Sequence, residues 1–127
     1  MSKKKMTFGQ VLRETRLAKG FTLRKFAEEV GLSPTYVSQV EQENVDPPTA
    51  ERVKTMAELL GANSDEWILL AGRVPEDLPG IMQKQPTAMP ELLREASGLT
   101  PQQLQDLLER VRKLNAKGKA DSDQGGK

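Results

Sequence analysis

The chain has 127 residues, 36% hydrophobic and 29% charged, with a formal net charge of +1, which suits one domain of ordinary size around a small core. It contains no cysteine and no histidine. That removes disulfides, thiolate nucleophiles and Cys-ligated zinc together with the commonest general base and metal ligand, so neither an enzyme nor a metal or cofactor protein is expected.

One Trp, one Tyr and three Phe are few for a β-sandwich and suit a helical bundle. Charge is unevenly spread. Up to Lys25 the chain holds Lys3, Lys4, Lys5, Arg13, Arg16, Lys19, Arg24 and Lys25 against Glu14, and acids dominate from Phe26 to Glu66; this permits a positive face on a nearly neutral protein, and a merely solvated charged surface fits equally well. No apolar run approaches the roughly 20 residues of a membrane span, and "MSKKKMTFGQ" lacks the apolar segment of a secretory leader. A soluble cytoplasmic protein is the expectation.

In chain order, residues 1–6 read as a disordered basic arm. Thr7 caps a first helix, "FGQVLRETRLAK", with Phe8, Val11, Leu12 and Thr15 at helical spacing, and Gly20 ends it. Thr22 caps a second, "LRKFAEEV", burying Leu23, Phe26, Ala27 and Val30 before Gly31. Ser33 caps a third with Pro34 at the first helical position. After the turn "ENVDPPT", Thr49 caps "AERVKTMAELL", whose inner face is Val53, Met56, Ala57 and Leu60, and Ser64 caps "DEWILLA". Residues 73–90 read as a Pro-rich hinge with one short helix near 78–84. Residues 91–115 form a helical segment, its last helix opened by a capping box at Thr100 and Gln103. Residues 116–127 lack an apolar anchor and read as a disordered tail.

The second and third helices are joined by Gly31, Leu32 and Ser33, the length and composition of a helix-turn-helix turn. On a wheel the third helix turns Val37 and Val40 inward and Thr35, Gln39 and Gln42 outward, with Ser38 and Tyr36 at the flanks. Gln offers an amide pair to adenine, Thr and Ser donate, accept or touch a thymine methyl, and none repels phosphate. A two-turn surface helix that merely happens to be uncharged fits the wheel equally well. Glu41 shifts the balance. It falls beside the inward valines, where an unpaired carboxylate would cost several kcal/mol, and Arg16 on the apolar side of the first helix is the expected partner; the alternative is that both snorkel to water.

These residues resemble a known family. "LRETRLAKGFTLRKFAEEVGLSPTYVSQVEQ", then "PPT" and "VKTMAELLGA", look like the phage-repressor (Cro/Xre-like) helix-turn-helix domain, a five-helix bundle that binds operator DNA, over residues 7–71. The resemblance implies base reading by Thr35 and Gln39, and contacts to phosphates or neighbouring bases by Ser33, Tyr36, Ser38, Gln42 and Asn44. Leu23 stands where the family often has Gln, and Pro34 where a base reader often sits. Glu43 replaces a usual glycine, leaving Asn44 as the expected left-handed residue. Lys3 to Lys5 would trail along the backbone or enter the minor groove, and Arg24 and Lys25 flank the motif to neutralise phosphate.

The last helix presents Leu104, Leu107, Leu108, Val111 and Leu114 at three-four spacing, with Leu92, Leu93, Ala96 and Leu99 just before. These helices either pair with a second copy or fold back onto the fourth and fifth; the hinge favours pairing. The expected whole is all-α: a five-helix repressor-like DNA-binding bundle over 7–72, the hinge, and a C-terminal dimerisation or interaction segment. The expected function is a sequence-specific transcriptional regulator, a homodimeric repressor that reads a palindromic operator in double-stranded DNA through the helix at 33–42. The alternative is an antitoxin-type protein whose C-terminal helices bind a partner protein. The hinge is also a plausible cleavage point for a protease.

Overall fold

The computed structural model describes residues 6–125, with side-chain surroundings through residue 119. The basic arm that includes Lys3, Lys4 and Lys5 lies outside the described residues. Every regular element among the described residues is helical: α1 (Phe8–Ala18), α2 (Leu23–Val30), α3 (Pro34–Glu41), α4 (Ala50–Leu60), α5 (Ser64–Leu70), α6 (Leu78–Lys84), α7 (Ala88–Ala96) and α8 (Pro101–Gly125). The chain forms two units, Met1–Gly80 and Ile81–Lys127.

In the first unit the caps set the helix starts. Thr7, Thr22, Ser33 and Thr49 each adopt extended backbone and accept a backbone N–H from three residues on, at 3.1–3.4 Å; each such cap contributes about 1 kcal/mol. For α5 the cap is Asn63, not the expected Ser64. Gly61 closes α4 in the left-handed conformation and Ala62 N–H donates to Ala57 O, so Asn63 is the extended residue and its Oδ1 accepts from Glu66 N–H at 2.9 Å.

The core gathers one stripe from each of α1 to α5. Leu12, Phe26, Ala27, Val37, Val53, Met56 and Ala57 are fully buried, with Phe8, Val40, Leu60, Trp67 and Ile68 nearly so. Phe8 meets Trp67 edge to face at 5.9 Å between ring centres, a geometry that adds about 1 kcal/mol to area burial. Val11, Leu23 and Val30, expected inside, are half-buried at the margin. Arg73 belongs with this unit: its Nε donates to Pro48 O at 3.0 Å and its Nη2 to Pro47 O, and Pro75 is buried. The Pro47–Pro48 turn, whose carbonyls no helix satisfies, is thereby braced from the far end of the bundle.

In the second unit the capping box expected at Thr100 is present: Gln103 N–H donates to Thr100 Oγ1 at 3.1 Å and Thr100 N–H to Gln103 Oε1 at 2.9 Å. α8 runs to Gly125, past residue 115 where the sequence reading places the start of a disordered tail. Extending a helix fixes one residue per hydrogen bond gained, whereas starting one fixes several, so a capped apolar helix carries weaker sequence along with it.

Candidate nucleic-acid interface

The interface is built on the turn between α2 and α3. Gly31 takes φ 73°, a left-handed conformation that costs a side chain with Cβ about 1–2 kcal/mol. It lets Leu32 N–H return to Ala27 O at 2.9 Å and tucks Leu32 against the core. Ser33 then starts α3, which buries Val37 and Val40 and is about 12 Å long at 1.5 Å per residue. An α-helix, about 10–12 Å across with its side chains, fits the major groove, about 12 Å wide.

Three contacts fix α3 to α1. Arg16 Nε and Nη2 donate to Glu41 Oε2 and Oε1 at 2.7 and 2.9 Å, and Arg16 Nη1 donates to Phe21 O at 2.9 Å. The two side chains are only 7% and 4% exposed. Among the described residues no buried side-chain nitrogen or oxygen lacks a partner, so the charges are both shielded and satisfied. Next to this pair the helices nearly touch. A Cβ on Gly9 would sit 2.6 Å from Glu41 O and 2.7 Å from Val40 O, a separation only glycine permits. Finally, Thr7 Oγ1 donates to Glu43 Oε2, linking the cap of α1 to the residue after the end of α3.

Glu43, and not Asn44, is the left-handed residue, at φ 63°. The hydrogen bonds that close α3 decide this: Glu43 N–H donates to Val40 O at 3.1 Å and Asn44 N–H to Gln39 O at 2.9 Å. That pattern puts the positive φ at the first position beyond the cap whatever residue stands there. The tie to Thr7 helps hold glutamate in a conformation glycine would adopt freely.

Turned away from the core, Ser33, Thr35, Gln42 and Asn44 are exposed and Ser38 and Gln39 half-buried, while Tyr36 is half-buried with its ring against the core. Gln42 Nε2 donates to Ser38 Oγ at 2.7 Å and Asn44 Nδ2 reaches Gln42 Oε1 at 3.5 Å, so the C-terminal end of the face is internally linked. Ser33 Oγ is occupied as the cap acceptor. Thr35 and Gln39 make no side-chain hydrogen bond among the described residues, so their donors and acceptors are open to an incoming ligand. Arg24 is exposed. Lys25 instead lies 3.4 Å from Glu29 and 3.9 Å from Glu28, which discounts its charge for an outside anion.

Most of the expected face therefore lies together on α3 and its two ends, and Arg24 and Lys25 stand at the start of α2. The expected dimerisation residues lie on α8, where Leu104, Leu108, Val111 and Leu114 are exposed and Leu107 is half-buried. Sequence reasoning missed Gly9, the Thr7–Glu43 tie and the Arg73 brace. Gly9 stands at the second position of a helix, where Gly lowers helix propensity; that misfit was the available signal. No described helix is long and apolar enough to cross a membrane, and the described residues hold no cluster of metal-ligating side chains.

A sequence model of the helix-turn-helix family matches residues 12–67. Among solved structures, the clp gene regulator ClgR from Corynebacterium glutamicum is 31% identical, over 68% of this chain and 83% of that one, with a TM-score of 0.45. The N-terminal DNA binding domain of SinR from Bacillus subtilis is 23% identical over 48% of this chain and 88% of that one, at TM-score 0.45. The complex of SinR with SinI aligns over 87% of this chain and 99% of that one at 20% identity and TM-score 0.46. No curated protein matches the chain.

Proposed function

The chain belongs to the Cro/Xre-like helix-turn-helix family of DNA-binding transcriptional regulators, and from that premise we propose that it is a sequence-specific repressor acting as a homodimer on a palindromic operator. Thr35 and Gln39 read base edges in the major groove. Ser33, Tyr36, Ser38, Gln42 and Asn44 contact phosphates or flanking bases, and Arg24, with a smaller share from Lys25, neutralises the backbone. What supports base reading is the pair of unengaged polar side chains, Thr35 and Gln39, on a helix locked by the buried Arg16–Glu41 pair: an immobile donor–acceptor set is what discrimination between bases requires. A single such unit contacts few base pairs, so two-fold pairing is the economical route to a longer site. A regulator of the chromosome works in the cytoplasm, and nothing in this role calls for catalysis.

Selection of bound fragments from random DNA at stated salt tests the proposal. An inverted repeat with half-sites about one helical turn, 10–10.5 base pairs, or a multiple of it apart is the expected product. Recovery of random sequence would refute specific reading, and recovery of an isolated half-site would refute the palindrome.

A second reading draws on the exposed leucines of α7 and α8: the C-terminal segment masks a different protein, as in an antitoxin. Isolation of the full chain with a stoichiometric second polypeptide on those helices would favour it. Exposure of most of residues 76–88 also offers this stretch as a cleavage point that would uncouple the two units.

A further inference from the structure

Two apolar faces in the second unit are left uncovered by that unit's own residues. Leu92 and Leu93 of α7 are 47% and 54% exposed, and Leu104 and Leu114 of α8 are 45% and 63% exposed. Leucine at this density in water marks an interaction surface, and a helix the length of α7 needs a partner to persist.

The charged borders of the two faces differ in sign. At 3.6 residues per turn, the α8 stripe is bordered on one side by Gln103, Arg110 and Lys117 and on the other by Arg112 and Lys119, each row repeating every seven residues. Asp106 lies at the outer edge of the Arg110 border, where its Oδ1 accepts from Gln102 Nε2 at 3.0 Å, and Glu109 falls on the far side of the helix. Both borders of the α8 stripe are therefore cationic, and laying α8 against α8 of a second copy sets cation beside cation in either direction. On α7 the border next to Leu92 is formed by Glu91 and Glu95, one turn apart, while Arg94 lies on the side away from Leu92. The connection between the helices is fixed by its own hydrogen bonds: Ser97 N–H to Leu93 O, Leu99 N–H to Ala96 O, and the Thr100–Gln103 box. It leaves both faces open within this unit.

We infer that α7 of one copy seats on α8 of a second copy, and reciprocally, with Glu91 and Glu95 meeting Arg110 and Lys117 on both sides of a two-fold axis. This rests on the homodimer reading and specifies its contact. Two-fold symmetry uses the same contact twice, so the two short apolar faces of each copy are covered together. The charged border sets the choice of partner face, since like charges brought together oppose a wrong pairing as effectively as opposite charges favour the right one.

Sedimentation equilibrium on the full chain tests it. E91K/E95K and R110E/K117E should each raise the self-dissociation constant about tenfold or more, with helical circular dichroism retained. Mixed one to one, the two variants should dimerise with each other, because each α7 then finds an α8 border of opposite sign. A mixture that stays monomeric, or a variant that self-associates as tightly as the unmodified chain, overturns the exchange. An unmodified chain that is itself monomeric overturns the homodimer reading beneath it, while an unmodified dimer indifferent to these charges leaves that reading standing and removes only this arrangement.

Discussion

Arg16 on α1 grips Glu41 on α3 through two parallel hydrogen bonds, 2.7 and 2.9 Å, across 25 residues of sequence. Its third nitrogen holds the Phe21 carbonyl, so one guanidinium ties α1, the turn after it and α3 together. Two charges this deeply shielded are weak evidence of net stability, because desolvation opposes their attraction. Removing one partner is another matter. Glu41→Ala strands a buried cation and should destabilise the fold by about 3–5 kcal/mol. Thermal unfolding checks this; an unchanged melting temperature would mean the pair contributes nothing.

Gly9 should be as sensitive as any charged residue here, though it makes no side-chain contact. Gly9→Ala places a methyl inside the carbonyls of Val40 and Glu41, and α1 and α3 must part to admit it. A loss of about 1–3 kcal/mol is expected, against the gain that Gly→Ala gives in an unobstructed helix. Because the displaced element is α3, operator affinity should fall along with stability. A stabilised variant would show that the crossing relaxes without strain.

Gln39→Ala should separate folding from reading. The side chain has no partner among the described residues, so the melting temperature should stay within about 1–2 °C. Binding to the selected operator should weaken by about 1–3 kcal/mol, with relaxed preference at one base step. Equal loss on every sequence would place Gln39 on the backbone.

Arg24 and Lys25 are neighbours with different expected effects. Arg24→Ala should weaken binding evenly across sequences and lower the slope of log affinity against log salt by about one. Lys25→Ala should change that slope less, since Glu28 and Glu29 already share its charge. Equal slopes would show that DNA draws Lys25 away from its acids.

Much of this architecture was readable before any coordinates, and the readable parts have a common character. Thr7, Thr22, Ser33 and Thr49 as caps, and Gly31 and Gly61 as stops, act within about four residues of themselves, so their effect is written in adjacent sequence. The two charged residues at inward positions, Arg16 and Glu41, were legible for a different reason: a charge in a core has few affordable fates, and pairing is the chief one. The uncharged outer face of α3 was legible as a pattern.

Other features depended on which segments the fold brings together. Nothing near Gly9 in sequence announces that two carbonyls from α3 will stand within 2.7 Å of where its Cβ would be, and nothing near Thr7 announces Glu43, 36 residues away. The positive φ fell on Glu43 because the closing hydrogen bonds of α3 count residues and do not consult their preferences. Sequence alone determined where α1 to α4 begin and which helix faces are apolar, because those are matters of local hydrogen bonding and periodicity. Tertiary structure decided how closely α1 and α3 approach and what holds α3 in place, because packing distance is set jointly by residues that meet only after the chain has folded.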